Sequence, residues 1–336
     1  MNAEGPPRIL VTGANGFAGR HLLAALTPRP PLPNAGEGAV RAALLFAAVR
    51  PERLVAEQQS GPLPSASEIV GMDAGDAERT GTLLECIRPH QIYHLAARAS
   101  GADADREAVF AVNVSGTRQL LEAAARLSPP PRTLIISTGY VYGETDPAHP
   151  AREETPTSPP GRYGAYTDSK IAMEAVASVY REFVIVARAF AHTGPGQSSA
   201  FAIPAFARQL ARIEQGLEPP ELRVGNLDAQ RDLLHVRDVV RAYRLLMEHG
   251  APGEVYNVAT GQPVSMRMVL DQLRGLSSAA ARVTVDPARL RPAEIACSTG
   301  DAARLRTRTG WTPQFALETT LRDTLNYWRA VARNTE

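Results

Sequence analysis

Of the 36 basic residues in this 336-residue chain, 35 are arginine and a single one is lysine, Lys170. A composition rich in Ala, Arg and Pro pushes Lys towards Arg wherever either will serve. The lysine that survives therefore marks a place where a compact ammonium is required. It stands four residues after Tyr166 in Tyr166-Thr167-Asp168-Ser169-Lys170, so phenol and ammonium share one helix face. A nearby ammonium stabilises phenolate and lets the phenol give or take a proton near neutral pH. Thr138, in Ser137-Thr138-Gly139-Tyr140-Val141-Tyr142-Gly143, follows an apolar run. A hydroxyl at such a strand end can hydrogen-bond a carbonyl that is being reduced, although in isolation the same residue reads as a turn former.

Gly13-Ala14-Asn15-Gly16-Phe17-Ala18-Gly19 follows the apolar run Arg8 to Thr12 and opens a helical stretch from Gly16 to Leu26. Glycine there permits positive φ and close backbone approach, so amides and a helix N-terminus can face a pyrophosphate. The spacing is G-x-x-G-x-x-G rather than G-x-G-x-x-G, and an ordinary tight turn is the alternative. Around a dinucleotide the contacts would fall on Gly13, Asn15, Gly16, Phe17 and Gly19. Arg50 closes the second strand where an acidic residue would grip the ribose 2′-hydroxyl of NAD. A guanidinium suits a 2′-phosphate, so NADP(H) is expected, with NAD(H) second. Asp73, closing the third strand, either accepts from the adenine amino group or caps the next turn.

The elements that must position these groups alternate. Strands are expected at Arg8–Thr12, Ala42–Val49, Glu68–Met72, Gln91–Leu95, Arg132–Ser137 and Phe183–Arg188. Helices are expected at Gly16–Leu26, Asp76–Ile87, Arg106–Leu127 and Tyr163–Glu182. That order predicts an α/β fold, a Rossmann-type doubly wound parallel sheet over residues 1–188. Residues 27–38, dense in Pro and Gly, read as a surface insertion. Residues 189–336 read mainly as a smaller α/β substrate lobe, with segments returning to the first domain. Its helices are expected at Ile203–Glu214, Val236–His249, Ser265–Gly275 and Leu317–Ala332, and short strands near Leu222 and Glu254.

Composition excludes other classes. Net charge is +1, without the basic footprint of a nucleic-acid binder. Cys86 and Cys297 are too few for a disulfide scaffold, and His90 and His94 flank strand-like residues, so no metal site is expected. No leading signal and no membrane-length apolar run is visible, which predicts a soluble cytoplasmic protein.

With these motifs in place, the chain resembles the extended short-chain dehydrogenase/reductase family over essentially its whole length. The glycine turn, the Thr138 strand end and Tyr166 with Lys170 carry the resemblance, supported by His94-Leu95-Ala96-Ala97 and by Asn113 in Asn113-Val114-Ser115-Gly116-Thr117. It implies Thr138, Tyr166 and Lys170 as the active residues, with Tyr166 and Lys170 also in the cofactor site and Lys170 holding the nicotinamide ribose. Leu95, Ala96, Ala97 and Asn113 would join the cofactor site. Gly194-Pro195-Gly196-Gln197, Gly225 to Asp232 and Arg289 to Glu294 resemble the branch of GDP-sugar 4,6-dehydratases and 4-keto-6-deoxy-sugar reductases. That implies a nucleotide-diphosphate sugar, GDP-linked, near Thr138, Gly139, Tyr140, His192, Gln197, Val224, Asn226, Arg231, Arg291 and Glu294. Arg231 and Arg291 suit a pyrophosphate as planar forks.

The resemblance also sorts the chemistries. Dehydratase relatives carry an acidic pair directly after the Thr, where this chain has Gly139 and Tyr140. Epimerase/reductases use a pocket Cys and His, and neither Cys86 nor Cys297 matches that Cys. NADPH-dependent reduction of the C4 ketone of GDP-4-keto-6-deoxy-D-mannose, to GDP-D-rhamnose or its C4 epimer, is the reading that remains. A 4-epimerase retaining its NAD(P) is second, and a GDP-mannose 4,6-dehydratase is the other alternative. A non-catalytic NADP sensor would be expected to have lost the Tyr or the Lys. Ala99, Ala191 and Tyr140 depart from the family pattern and bear on substrate identity. Helices 106–127 and 163–182 are expected to pair in a homodimer, as in similar proteins.

Overall fold

Up to Ala189 the apolar runs become strands and the periodic stretches between them helices. In chain order these are β1 (Arg8–Thr12), α1 (Phe17–Leu26), β2 (Leu44–Val49), α2 (Pro51–Gln59), β3 (Glu68–Gly71), α3 (Ala77–Ile87), β4 (Gln91–His94), α4 (Arg106–Phe110), α5 (Gly116–Ala125), β5 (Arg132–Thr138), α6 (Ala165–Val179) and β6 (Val184–Ala189). Then follow β7 (Ala191–Thr193), α7 (Ala202–Glu214), β8 (Glu221–Val224), β9 (Gln230–His235), α8 (Val236–His249), β10 (Val255–Val258), β11 (Pro263–Ser265), α9 (Met266–Gly275), β12 (Arg282–Val285), β13 (Cys297–Ser298), α10 (Ala303–Thr309) and α11 (Leu317–Arg333). This computed structural model describes residues 6–27, 43–59, 63, 68–73, 75–98, 105–290 and 295–334. Most of the 27–38 insertion therefore lies outside the described residues.

The chain divides into two units. Met1–Ser137, Ala165–Ala187 and Val240–Val255 make the first; Thr138–Gly164, Arg188–Val239 and Tyr256–Glu336 make the second. The main sheet has seven strands in the order β3-β2-β1-β4-β5-β6-β10. β1 pairs in parallel with β2 and with β4, β2 with β3, and β4 with β5. This is the doubly wound order expected from the sequence. It reverses at β1 and β4, whose carboxyl ends form the switch point where such sheets take their ligands. Leu10, Ile92 and Ile135 from the strands meet Leu84, Leu120, Leu121 and Met173 from the helices in one buried cluster. Burial of each such large side chain contributes about 1.5–3 kcal/mol.

In the second unit β9 is central, pairing with β11, β13 and β7, while β8 pairs with β12. α7, α9 and α11 pack Phe206, Leu210, Val269, Leu273, Leu321 and Leu325 into a second buried cluster. Among the described residues no helix is long and apolar enough to cross a membrane.

Two expectations need correction. The helix expected over 106–127 is α4 and α5 separated by a π-helical turn, Ala111–Ser115, and it ends at Ala125. The wider turn leaves the apolar pattern intact, so periodicity does not betray it. The helix expected over 163–182 is shorter, Ala165–Val179, because Gly164 takes φ +89° before it and Phe183 is already bonding back to Tyr180 after it. Two short helices were not expected. α2 begins at Pro51 and α10 carries three arginines, so neither shows an apolar stripe.

Candidate active site

The glycine turn is dictated by space. Gly13 has φ +66°, and a Cβ there would lie 2.8 Å from the Ala96 amide nitrogen. A Cβ on Gly19 would collide with the Gly13 carbonyl oxygen and lie 2.7 Å from that of Ala14. The amide of Gly16 donates to the Gly13 carbonyl at 3.0 Å, closing the turn. Gly16 then caps α1 without a side chain, and no acidic residue stands in the first helical turn. A bare backbone cradle ending in an unshielded helix N-terminus fits a diphosphate.

Behind the cradle runs a chain of directed hydrogen bonds. The Thr117 hydroxyl donates to the Asn113 carbonyl at 2.8 Å, so its oxygen is the acceptor for His94 Nε2–H at 2.9 Å. His94 Nδ1 must then accept from the Thr12 hydroxyl at 2.8 Å, and Thr12 in turn accepts the Ala96 amide at 3.1 Å. His94 is fully enclosed, and burial, helped by the Lys170 charge, pushes it down to about 3. It is a neutral imidazole of fixed tautomer that sets the Leu95–Ala97 backbone. Asn113, inside the π turn, accepts the Arg98 amide at 2.7 Å and donates to Ser169 Oγ at 2.9 Å, while Ser169 donates to the Tyr166 carbonyl at 2.7 Å. The segment after β4 is thus tied to the start of α6.

On α6, Lys170 is buried, and its ammonium donates to the Ile136 carbonyl at 2.6 Å, two residues before Thr138 on β5. Its Nζ lies 5.9 Å from the centre of the Tyr166 ring. Burial lowers its pKa to about 8, and the carboxylate of Glu174 opposes that fall. Arg50 follows β2, exposed, and pairs with Glu52 at 3.1 Å. An ion pair this exposed is weak and easily exchanged for a phosphate. Asp73 receives the Gly75 amide at 2.9 Å, the turn-capping arrangement of its two readings.

Within the second unit, Thr138 Oγ1 accepts the Tyr140 amide at 3.3 Å, which leaves its proton to offer a carbonyl oxygen. A Cβ on Gly139 would sit 2.6 Å from the Phe190 ring, so any side chain there would have to displace that buried ring. Arg231 donates to the Gln230 and Ile295 carbonyls, both at 2.8 Å, and its guanidinium lies 5.9 Å from the Tyr140 ring. His192 Nδ1–H donates to the Phe190 carbonyl at 2.9 Å. Gln197 donates to the His192 carbonyl at 3.1 Å and accepts from Thr193 at 2.6 Å, so it shapes this loop. Val224 is buried in the core with its carbonyl taken by the Asp286 amide, and Asn226 Oδ1 accepts the Asp228 amide in a turn. Arg291, Glu294 and Ala99 lie outside the described residues.

The sequence reading missed two groups. Asp232, fully buried, accepts from Thr260, Gly261, Thr299 and Gly300, pinning the two loops beside β9. Burial raises its pKa, whereas every one of these donors favours the carboxylate. Glu174, which accepts the Ser137 hydroxyl at 2.5 Å, was also overlooked. It continues the row Tyr166, Lys170, one turn further on, a signal the helix repeat alone could have supplied.

The reversed sheet order with a glycine cradle at β1, and a Tyr–Lys pair on the helix before β6, belong to the Rossmann-type oxidoreductases. The family model for GDP-mannose 4,6 dehydratase matches residues 10–324. The GDP-6-deoxy-D-mannose reductase of Pseudomonas aeruginosa is 34% identical, covering 97% of this chain and 98% of the relative. The solved structure of RMD from Pseudomonas aeruginosa complexed with NADPH superposes with a TM-score of 0.77 at 33% identity, over 97% of this chain and 98% of that one. A UDP-glucose 4-epimerase of Mycolicibacterium smegmatis is 31% identical, with 96% and 98% covered. This chain belongs to the GDP-mannose 4,6-dehydratase family, a branch of the extended short-chain dehydrogenases/reductases.

Proposed function

We propose that this protein reduces the C4 ketone of a GDP-linked 4-keto-6-deoxy sugar with NADPH, taking GDP-4-keto-6-deoxy-D-mannose to GDP-D-rhamnose or its C4 epimer. The observation that carries the reading is the buried Lys170 ammonium, held by the Ile136 carbonyl on the same helix face as Tyr166. The similarity to the reductase of Pseudomonas aeruginosa, and to a structure complexed with NADPH, supports the substrate and the cofactor. The described residues assigned to the cofactor, from Gly13 to Lys170, lie in the first unit, and those assigned to the sugar nucleotide lie in the second. This supports a nucleotide-binding domain and a substrate lobe.

Gly13, Gly16 and Gly19 would hold the diphosphate of NADPH, Arg50 its 2′-phosphate and Lys170 its nicotinamide ribose. Bound there, the nicotinamide supplies hydride to C4. The chain's own residues manage the oxygen. Thr138 donates a hydrogen bond to O4, and Tyr166 delivers its phenolic proton to the same atom. The Lys170 ammonium stabilises the phenolate left behind. With a glycine at Gly139 and a phenol at Tyr140, the chain has no carboxyl pair directly after Thr138 for removing the C5 proton and the C6 hydroxyl.

A cytoplasmic setting suits two unpaired cysteines, Cys86 and Cys297. A homodimer through α5 and α6 suits the small exposed side chains of Ala175 and Ser178 and the apolar Val179 on α6. The test of function is to supply the purified protein with GDP-4-keto-6-deoxy-D-mannose and NADPH, and separately with GDP-mannose or UDP-glucose and the oxidised cofactor, NADP+ or NAD+. Stoichiometric NADPH oxidation with the keto sugar, and no change in the other two, is expected. Conversion of GDP-mannose would show a dehydratase, and of UDP-glucose an epimerase.

A further inference from the structure

Glu174 lies one helical turn beyond Lys170 on α6, and its carboxylate accepts the Ser137 hydroxyl at 2.5 Å. Ser137 directly precedes Thr138, and Ile136, directly before Ser137, carries the carbonyl that holds the Lys170 ammonium at 2.6 Å. One carboxylate thus braces the end of β5 and faces the lysine bound to that same strand. We propose that Glu174 is a positioning residue for the reaction, keeping Lys170 charged and in register with the end of β5. The proposal rests on the roles assigned above to Tyr166 and Lys170.

The surroundings of Lys170 make the charge of Glu174 matter. The lysine is enclosed, and the cost of burying a cation favours the neutral amine. From β5 it meets a carbonyl and the Met173 thioether lies beside it at 3.7 Å, neither of them an anion. From β4, His94 is a neutral imidazole. On its own helix Tyr166 presents a ring face, and Asp168 is engaged by Arg106 at 2.7 Å. From α8, Tyr243 is buried beside Tyr166 and held protonated by that burial. Glu174 is the neighbour whose negative charge opposes deprotonation of the ammonium.

Glu174→Gln separates charge from shape, because the amide oxygen still accepts the Ser137 hydroxyl. Ser137→Ala does the reverse, removing the hydrogen bond and leaving the carboxylate. The measurement is the pH profile of kcat/KM for reduction in the full-length protein. In the parent the alkaline limb follows the first proton lost from the Tyr166–Lys170 pair, and a nearby negative charge raises the pKa of either group. In Glu174→Gln that limb is expected to move down by roughly one pH unit, with activity below the limb retained within about threefold. Ser137→Ala is expected to leave the limb where it was. A limb in Glu174→Gln that coincides with the parent's overturns the proposal, as does an equal displacement in Ser137→Ala. Lys170→Arg and Tyr166→Phe, measured alongside, separate the two claims. If both are inactive and the limb does not move, only the role of Glu174 falls. If both turn over like the parent, the catalytic assignment falls with it.

Discussion

Tyr166 and Lys170 carry different loads. In the proposed reaction, removing the phenolic oxygen deletes the proton meant for O4 but touches nothing in the glycine cradle. Tyr166→Phe is therefore expected to lower kcat about 10²–10⁴-fold, with NADPH affinity by fluorescence titration nearly unchanged. Equal loss of both would mean that the phenol holds the cofactor instead. Lys170→Arg keeps a cation but replaces a compact donor, buried against the Ile136 carbonyl, with a planar fork that needs more room. It too is expected to lose most of its turnover. Because Arg fills every other basic position of the chain, a Lys170→Arg protein with normal rates would reduce the lysine count to composition alone.

At the scale of elements, the glycine cradle and the segment after β4 depend on the close packing and hydrogen bonds behind them. Gly19→Ala must push its methyl into the carbonyls of Gly13 and Ala14, so the first turn of α1 moves. The expected result is a loss of NADPH affinity of at least about tenfold, the size of one or more lost charge-assisted hydrogen bonds, read by isothermal titration. His94 gives the fold a pH dependence. Its pKa in the folded chain, about 3, is below the unfolded value, so the unfolded state binds more protons between the two. The stability it contributes is complete above about pH 6.5 and is lost as the pH falls towards 3. Urea midpoints at pH 7.5 and pH 5 should correspond to a difference of about 2 kcal/mol from this residue, reduced in His94→Asn. An undiminished difference in that variant would show that other groups set it.

These elements also show what a sequence can disclose. β1, β4 and β5 are legible because a strand buried on both faces must be a continuous apolar run, and the glycine turn because no other residue fits its space. The strands around β9 are not, since Gln230–His235 mixes charged and apolar residues and owes its place to the buried Asp232. Nor is the π turn at Asn113, because one wider turn leaves the amphipathic pattern unchanged. Tyr166 and Lys170 stand out in the sequence by type and spacing. Glu174 shares their helix face by spacing, but its partner, the Ser137 hydroxyl on β5, is visible only in the fold.

At the scale of the whole molecule, the proposed cofactor choice and reaction type rest on the charge at Arg50 and on Gly139 and Tyr140 standing after Thr138. Arg50 stands exposed beyond β2 and pairs, among the described residues, with the surface carboxylate of Glu52. Arg50→Glu is expected to reduce kcat/KM for NADPH about tenfold or more while leaving NADH nearly unaffected, read by steady-state kinetics with both. Parallel losses would place the 2′-phosphate elsewhere. The central claim is a simple hydride transfer to C4, with no proton exchanged at the neighbouring carbons. It is tested most directly by reducing GDP-4-keto-6-deoxy-D-mannose with NADPH in deuterium oxide and reading the product by proton NMR. The predicted product is a GDP-6-deoxyhexose whose carbon-bound hydrogens are all protium, the one at C4 coming from NADPH. Deuterium at C3 or C5, or turnover without net oxidation of NADPH, would contradict it.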